Sequence, residues 1–282
     1  MSQTAIRIGT PAGYEVPLTW LPGNEEAGPV ILLMAALGVP ARFYRPIADA
    51  LSAKGFCVAL MEQRGHGDST LRPGRRSDWG FRAVLENDLP AVMAWVRKQT
   101  PDAPLYLMGH SLGGHYAAIT AGLRPSEVDG VILVACGTPW WRAFDGGTKV
   151  RIRLLIGLLP VCHVAFGYYP GDRLGFGGRE ARTLMKDWRA LAQTNHYSAI
   201  GVNRDLDTAI GSYEGPVLAI GLADDDFAPA SAVTAVTMKF RNARVENRVI
   251  DQTLLGDRAD HFRWARTPSA VVDAIRVWAD GG

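Results

Sequence analysis

Short apolar runs rich in β-branched residues alternate along the chain with longer stretches whose apolar side chains recur every three or four positions. Residues 29–34 (Pro-Val-Ile-Leu-Leu-Met) form an unbroken apolar run of strand length, the pattern of a strand covered on both faces. Similar runs at 55–60, 105–108, 130–135, 216–220 and 244–250 predict further strands. Helical periodicity occupies 44–54, 81–98, 112–123, 230–240 and 268–279. This alternation predicts an α/β fold, a mainly parallel twisted sheet with helices on both faces. Pro90 falls inside the 81–98 pattern, where it either kinks the helix or marks its true start.

The alternation breaks over 137–214, a Trp- and Gly-rich stretch with weaker strand signals. The expectation is a mostly helical cap or lid inserted between two sheet strands, with the core built from 1–136 and 215–282. Inside that stretch, 154–171 carries no charge but is interrupted by Gly157, Pro160, His163 and Gly167. It is short for a membrane span and reads instead as a buried or pocket-lining segment. Met1 to Arg7 shows no basic region followed by an apolar one, so no signal peptide is expected. Cys57, Cys136 and Cys162 are odd in number and sit among apolar neighbours, which suits free thiols in a reducing compartment and an expected cytoplasmic location. With 30 Lys+Arg against 28 Asp+Glu the net charge is +2, too balanced for an electrostatic nucleic-acid binder. Nothing calls for a metal or another cofactor, no C-x-x-C occurs, and self-association as a homodimer is left open.

The strongest chemical signal is Gly109-His110-Ser111-Leu112-Gly113, a G-x-S-x-G placed between the 105–108 strand and the 112–123 helix. A strand turning sharply into a helix forces the serine into a strained backbone, and small flanking residues permit the close approach. The hydroxyl then lies at a helix N-terminus, where developing negative charge is favoured. Of six histidines, His261 occupies the loop between the last strand and last helix, where the chain order serine, acid, histidine requires the base. The acid is expected after the 216–220 strand, in Asp224-Asp225-Asp226. Three adjacent carboxylates cannot all be buried; Asp225 is the first choice and Asp224 the second. Backbone N–H groups of Leu112 and of Leu37, in the loop after 29–34, are the expected oxyanion donors. Trp140 and Trp141 open the insertion, and Leu155 and Leu159 lie in its apolar run; these four are the candidate substrate-pocket residues.

At this point the chain resembles the α/β-hydrolase superfamily over nearly its whole length. Besides the elbow, Arg64-Gly65-His66-Gly67-Asp68-Ser69 is similar to the R-G-x-G-x-S turn of that superfamily. A narrower resemblance is to bacterial serine-aminopeptidase-like α/β-hydrolases. It rests on residues 38–45, on the insertion segment 167–175, on Trp188 and Tyr197, and on His261-Phe262-Arg263-Trp264. Three departures stand out. Ala35-Ala36 replaces a frequent His-Gly pair, and Glu62 replaces a usual Asp before the R-G-x-G turn. Asp260 stands where a glycine often precedes the histidine, adding a carboxylate able to raise the basicity of His261 or compete for its Nδ1.

The resemblance implies hydrolysis through an acyl-enzyme, typically of carboxylic esters and sometimes of thioesters or amides. The expected partner is a small-molecule acyl substrate of apolar character. Two alternatives remain at this stage: transfer of the acyl group to an acceptor other than water, and a non-catalytic ligand-binding protein on the same scaffold.

Overall fold

Alternation at period two decides where each strand residue goes. In Val30–Met34, Val30, Leu32 and Met34 join one apolar cluster while Ile31 and Leu33 join the other, so both sheet faces are dry. The computed structural model describes residues 3–23 and 28–281. Its eight-stranded sheet has the order β1-β2-β4-β3-β5-β6-β9-β10. The strands are β1 (Thr4–Gly9), β2 (Glu15–Leu21), β3 (Val30–Met34), β4 (Cys57–Met61), β5 (Leu105–His110), β6 (Gly130–Val134), β9 (Val217–Leu222) and β10 (Val245–Ile250). β1 and β2 form an antiparallel hairpin at one edge and β2 is antiparallel to β4; every other neighbour is parallel.

The parallel strands are the six that the apolar runs predict. The edge hairpin is absent from that prediction because β1 is mostly exposed and its only buried residue is Ile8, so it never forms an apolar run. Helix α1 (Arg45–Ala53) packs with α11 (Ser269–Asp280) on one face. On the other lie α2 (Phe81–Ala83), α3 (Leu89–Gln99), α4 (Leu112–Leu123) and part of α9 (Ala230–Thr237); α10 (Gln252–Leu255) is a single turn after β10.

Pro90 is the second residue of α3, and a wide π turn at Val84–Asp88 precedes it. A residue without an N–H leaves the preceding turn short of a donor, and the wider turn accommodates this. The same turn points Asp88 inward, where its carboxylate takes two hydrogen bonds of 2.6 Å from Arg64. Arg64 belongs to the R-G-x-G turn, so this bidentate pair fixes that turn to the helix.

Between β6 and β9 the chain forms α5 (Gly146–Phe166), the short hairpin β7 (Tyr168–Pro170) and β8 (Arg179–Ala181) with the turn α6 (Gly171–Leu174) between them, then α7 (Arg182–Thr194) and α8 (Leu206–Ser212). This segment has no separate core. Ile156, Leu159, Leu184, Met185 and Leu191 belong to the same apolar cluster as the sheet. α5 runs straight through Pro160. The Ile156 carbonyl, which a residue 160 with an N–H would have engaged, accepts instead from Arg189 Nε of α7 at 2.8 Å. The expected burial of the 154–171 stretch holds for only one side of α5: Leu154, Leu158 and Val161 are exposed.

The Arg64–Asp88 pair generates a stability prediction. Arg64 and Asp88 side chains are 9% and 1% exposed, and removing one partner of a buried pair strands the other charge. Asp88→Ala is expected to lose about 3–5 kcal/mol, read as a lower urea midpoint with unchanged slope; a midpoint within error of wild type refutes the pair's structural role.

Candidate active site

Ser111 separates β5 from α4 at φ 50°, ψ −113°, a region costly for any residue with a Cβ. The glycines around it are dictated by space. A Cβ on Gly109 would lie 2.1 Å from the Gly113 carbonyl carbon, and one on Gly113 2.3 Å from the Met34 oxygen. The Ser111 N–H is held by the Val134 carbonyl at 3.1 Å. Leu112 is the first residue of α4, so its N–H is among the donors that a helix start leaves unpaired.

The loop after β3 is fixed from both sides. Gln63 Nε2 donates to the Ala35 oxygen, and the Ala36 N–H donates to the Tyr44 hydroxyl at 2.9 Å. The Ala36 carbonyl accepts from Val39 at 3.1 Å. The Leu37 N–H, between these tethers, takes no protein acceptor among the described residues. The Tyr44 hydroxyl also meets His110 Nδ1 at 2.7 Å. Burial, with His261 nearby, holds the His110 pKa well below the ordinary histidine value, so this imidazole is neutral. Its ring lies 4.6 Å from that of His261, centroid to centroid, and 5.1 Å from that of Trp264.

His261 and Asp225 meet. His261 Nδ1 and Asp225 Oδ2 are 2.8 Å apart, and both residues are buried. The other oxygen, Asp225 Oδ1, accepts the N–H groups of Phe227 and Ala228 at 2.8 and 3.0 Å. Asp224 turns elsewhere: it exchanges two hydrogen bonds with the Ala259 backbone, at 2.9 and 3.2 Å, clamping the loop that carries His261. Trp264 Nε1 donates to the His261 carbonyl at 2.9 Å. Asp260 accepts from the N–H groups of Phe262 and Arg263, so its carboxylate caps a turn and leaves Nδ1 to Asp225. Glu62 accepts from the N–H of Ala41 and of Asp68, bracing the R-G-x-G turn where the shorter Asp is usual.

The four candidate pocket residues make the following contacts. Trp140 packs with Ala143, Phe144 and Ala232. Trp141 has Arg142, Lys149 and Arg153 over its ring at 5.0, 5.6 and 5.3 Å. Leu159 is fully buried in the main cluster, and Leu155 lies half-buried against it. The rings that border His261 are Phe227 at 5.3 Å and Phe262 at 4.9 Å, and Phe176 from the β7–β8 connection stacks on Phe227 at 6.4 Å. Phe227 and Phe262 carry a sequence signal, as the residues two after Asp225 and one after His261. Phe176 carries no such signal, because its contact is made across the fold.

The inserted segment touches the loop after β3 directly. Gly38 has φ +77°, and a Cβ there would lie 2.3 Å from the Gly178 nitrogen. Beside this contact His66 Nε2 meets Glu180 Oε2 at 3.1 Å, and Glu180 Oε1 accepts from Gly178 N–H at 2.8 Å. Further along, His115 Nδ1 is bonded to the Tyr197 hydroxyl, and burial lowers the His115 pKa to about 4. Asp187 accepts from Phe81 and Ile200 N–H groups, and burial raises its pKa to about 6.

The sheet order, the strained serine between β5 and α4, and a buried acid–histidine pair after β9 and β10 define an α/β-hydrolase. A carboxyl esterase from Bacillus coagulans has the same fold, with a TM-score of 0.73 at 16% identity, covering 100% of this chain and 99% of that one. The chain belongs to the Hydrolase_4 family, described as serine aminopeptidase, S33, whose model matches residues 25–183. Monoglyceride lipase from Rattus norvegicus is 32% identical over 116 residues, 41% of this chain but only 37% of that protein. A putative carbamate hydrolase from Variovorax paradoxus (strain S110) is 27% identical over 228 residues, 76% of this chain and 80% of that one. The chain thus spans less than half the length of the lipase relative it matches.

The His66–Glu180 pair makes the docking of the inserted segment pH-dependent. Burial alone would lower the His66 pKa, but hydrogen bonding and charge from Glu180, with Glu62 behind it, outweigh burial and raise it above the ordinary value. A raised histidine pKa stabilises the fold fully below the unfolded value of about 6.5 and loses that contribution as pH climbs through the folded value. The urea midpoint of wild type is therefore expected to fall between about pH 6 and pH 9 more steeply than that of Glu180→Gln. Parallel midpoint curves for the two proteins refute the pairing.

Proposed function

We propose that the protein is a serine hydrolase that cleaves carboxylic esters of apolar acyl groups through an acyl-enzyme. The observation that carries this reading is the buried His261–Asp225 pair at 2.8 Å, beside the strained turn that presents Ser111. Ser111 Oγ attacks the ester carbonyl while His261 Nε2 takes its proton. The N–H groups of Leu37 and Leu112 hold the resulting oxyanion. Collapse of that intermediate expels the alcohol, which leaves with the proton from His261. Water, deprotonated by the same imidazole, then attacks the acyl-enzyme and releases the acid. Asp225 keeps Nδ1 as the donor-bearing nitrogen and stabilises the imidazolium formed in each half-reaction; the two backbone N–H groups on its other oxygen keep it oriented.

Two features support an apolar ester as substrate. Phe227 and Phe262 border His261 and Phe176 stacks on Phe227, an apolar surface that favours hydrocarbon groups over charged ones. The relatives include monoglyceride lipases and the fold neighbours a carboxyl esterase, all named for ester cleavage.

A fluorophosphonate probe is expected to label wild type and leave Ser111→Ala unlabelled, and Ser111→Ala is expected to lose hydrolysis of p-nitrophenyl esters. Labelling or hydrolysis that survives in Ser111→Ala counts against the assignment. Tyr44→Phe removes the acceptor of the Ala36 N–H and frees the oxyanion loop. It is expected to lower kcat about tenfold with KM nearly unchanged; a loss confined to KM would mean that Tyr44 serves substrate binding instead.

A further inference from the structure

We propose that the outward face of α5, together with the basic basin beside it, docks the protein on an anionic lipid bilayer. Val150, Leu154, Leu158, Val161 and Val164 recur at spacings of four, four, three and three residues, which places them on one face of the helix. That face is not the one buried. Ile156, Leu159 and Cys162 point into the core, whereas Leu154, Val161 and Val164 are 68%, 61% and 80% exposed. Side chains so exposed line no cavity beneath the helix, and a contiguous apolar patch on a surface marks an interaction site.

The charge around the stripe selects the occupant. α5 contains Lys149, Arg151 and Arg153 and no acidic residue. Arg151 and Arg153 lie on opposite edges of the apolar stripe, and Trp141 sits beneath Lys149 and Arg153. Along one edge, Pro160, His163 and Val164 join Arg182, Lys186 and Arg189 of α7 around an open basin of about 610 Å³. His163 Nε2 there is buried with no hydrogen-bond partner among the described residues, and the exposed Lys186 makes no ion pair among them. An apolar stripe rimmed by cations and an amphipathic aromatic is the composition of a helix lying in a membrane interface, where acyl chains meet the stripe and phosphates meet the rim. A second copy of the chain fits poorly, because a two-fold contact through this face would set cations against cations. The helix lies on the bilayer and does not cross it: no helix among the described residues is long and apolar enough to span a membrane.

The test is flotation of the intact protein with vesicles of phosphatidylglycerol mixed with phosphatidylcholine, against vesicles of phosphatidylcholine alone. Wild type is expected to partition onto the anionic vesicles and to be released by raised salt. Leu154→Asp with Val161→Asp should abolish partitioning, and Lys186→Glu should weaken it by about fivefold or more. All three positions lie outside the groups proposed to catalyse, so hydrolysis of a soluble ester by these variants should match wild type and report intact folding. Equal partitioning onto neutral vesicles, or variants that bind as wild type does, overturns the proposal. So does stabilisation by inorganic phosphate without vesicle binding, or a dimer in solution that Leu154→Asp disperses.

Discussion

The close approach of α4 to the end of β3, with Ser111 strained between, is the constraint on which the rest of the site depends. The contact exists only because Gly113 has no side chain: its Cβ would meet the Met34 and Ala35 carbonyl oxygens at 2.3 and 2.7 Å. Closing that gap brings the first amide of α4 and the Leu37 amide to the same end of the sheet, next to the serine. The strain at Ser111 is held by the Val134 carbonyl on one side and by a fully buried helix on the other. A backbone conformation of this cost persists only where its surroundings over-determine it.

Around that contact the polar groups form one connected set. Tyr44 joins the loop after β3 to the residue before Ser111, His110 packs its ring against His261, and Trp264 holds the His261 carbonyl. Neutral His110 suits this arrangement, since a second positive charge at 4.6 Å would oppose the imidazolium that the proposed chemistry forms on His261. The inserted segment adds a third layer, laying Gly177 and Gly178 on Leu37 and Gly38 and tying Glu180 to His66. The loop after β3 is thus shaped from outside as well as from within.

Much of this was legible from residue order. The unbroken apolar runs gave the parallel strands, because a strand buried on both faces needs apolar side chains at every position. Ser111 was legible because a nucleophile elbow demands glycines at fixed offsets, and His261 because it follows the last strand. The edge hairpin was not: β1 buries only Ile8, and the apolar residues of β2 are interrupted by Pro17 and Thr19. Nor was Phe176, which arrives from 51 residues before its stacking partner Phe227.

Residue order alone was enough for the class of sheet, the serine turn and the loops that carry Asp225 and His261, because each follows from local periodicity or from glycine placement. Which of the adjacent aspartates faces His261 was decided only by tertiary structure: Asp224 is drawn to the Ala259 backbone, and Asp225 is left to turn inward. The two sides of α5 were decided the same way. An apolar run with little polarity around its circumference does not say which face packs, and only the placement of α7 and the sheet buries Leu159 while leaving Leu154 in water.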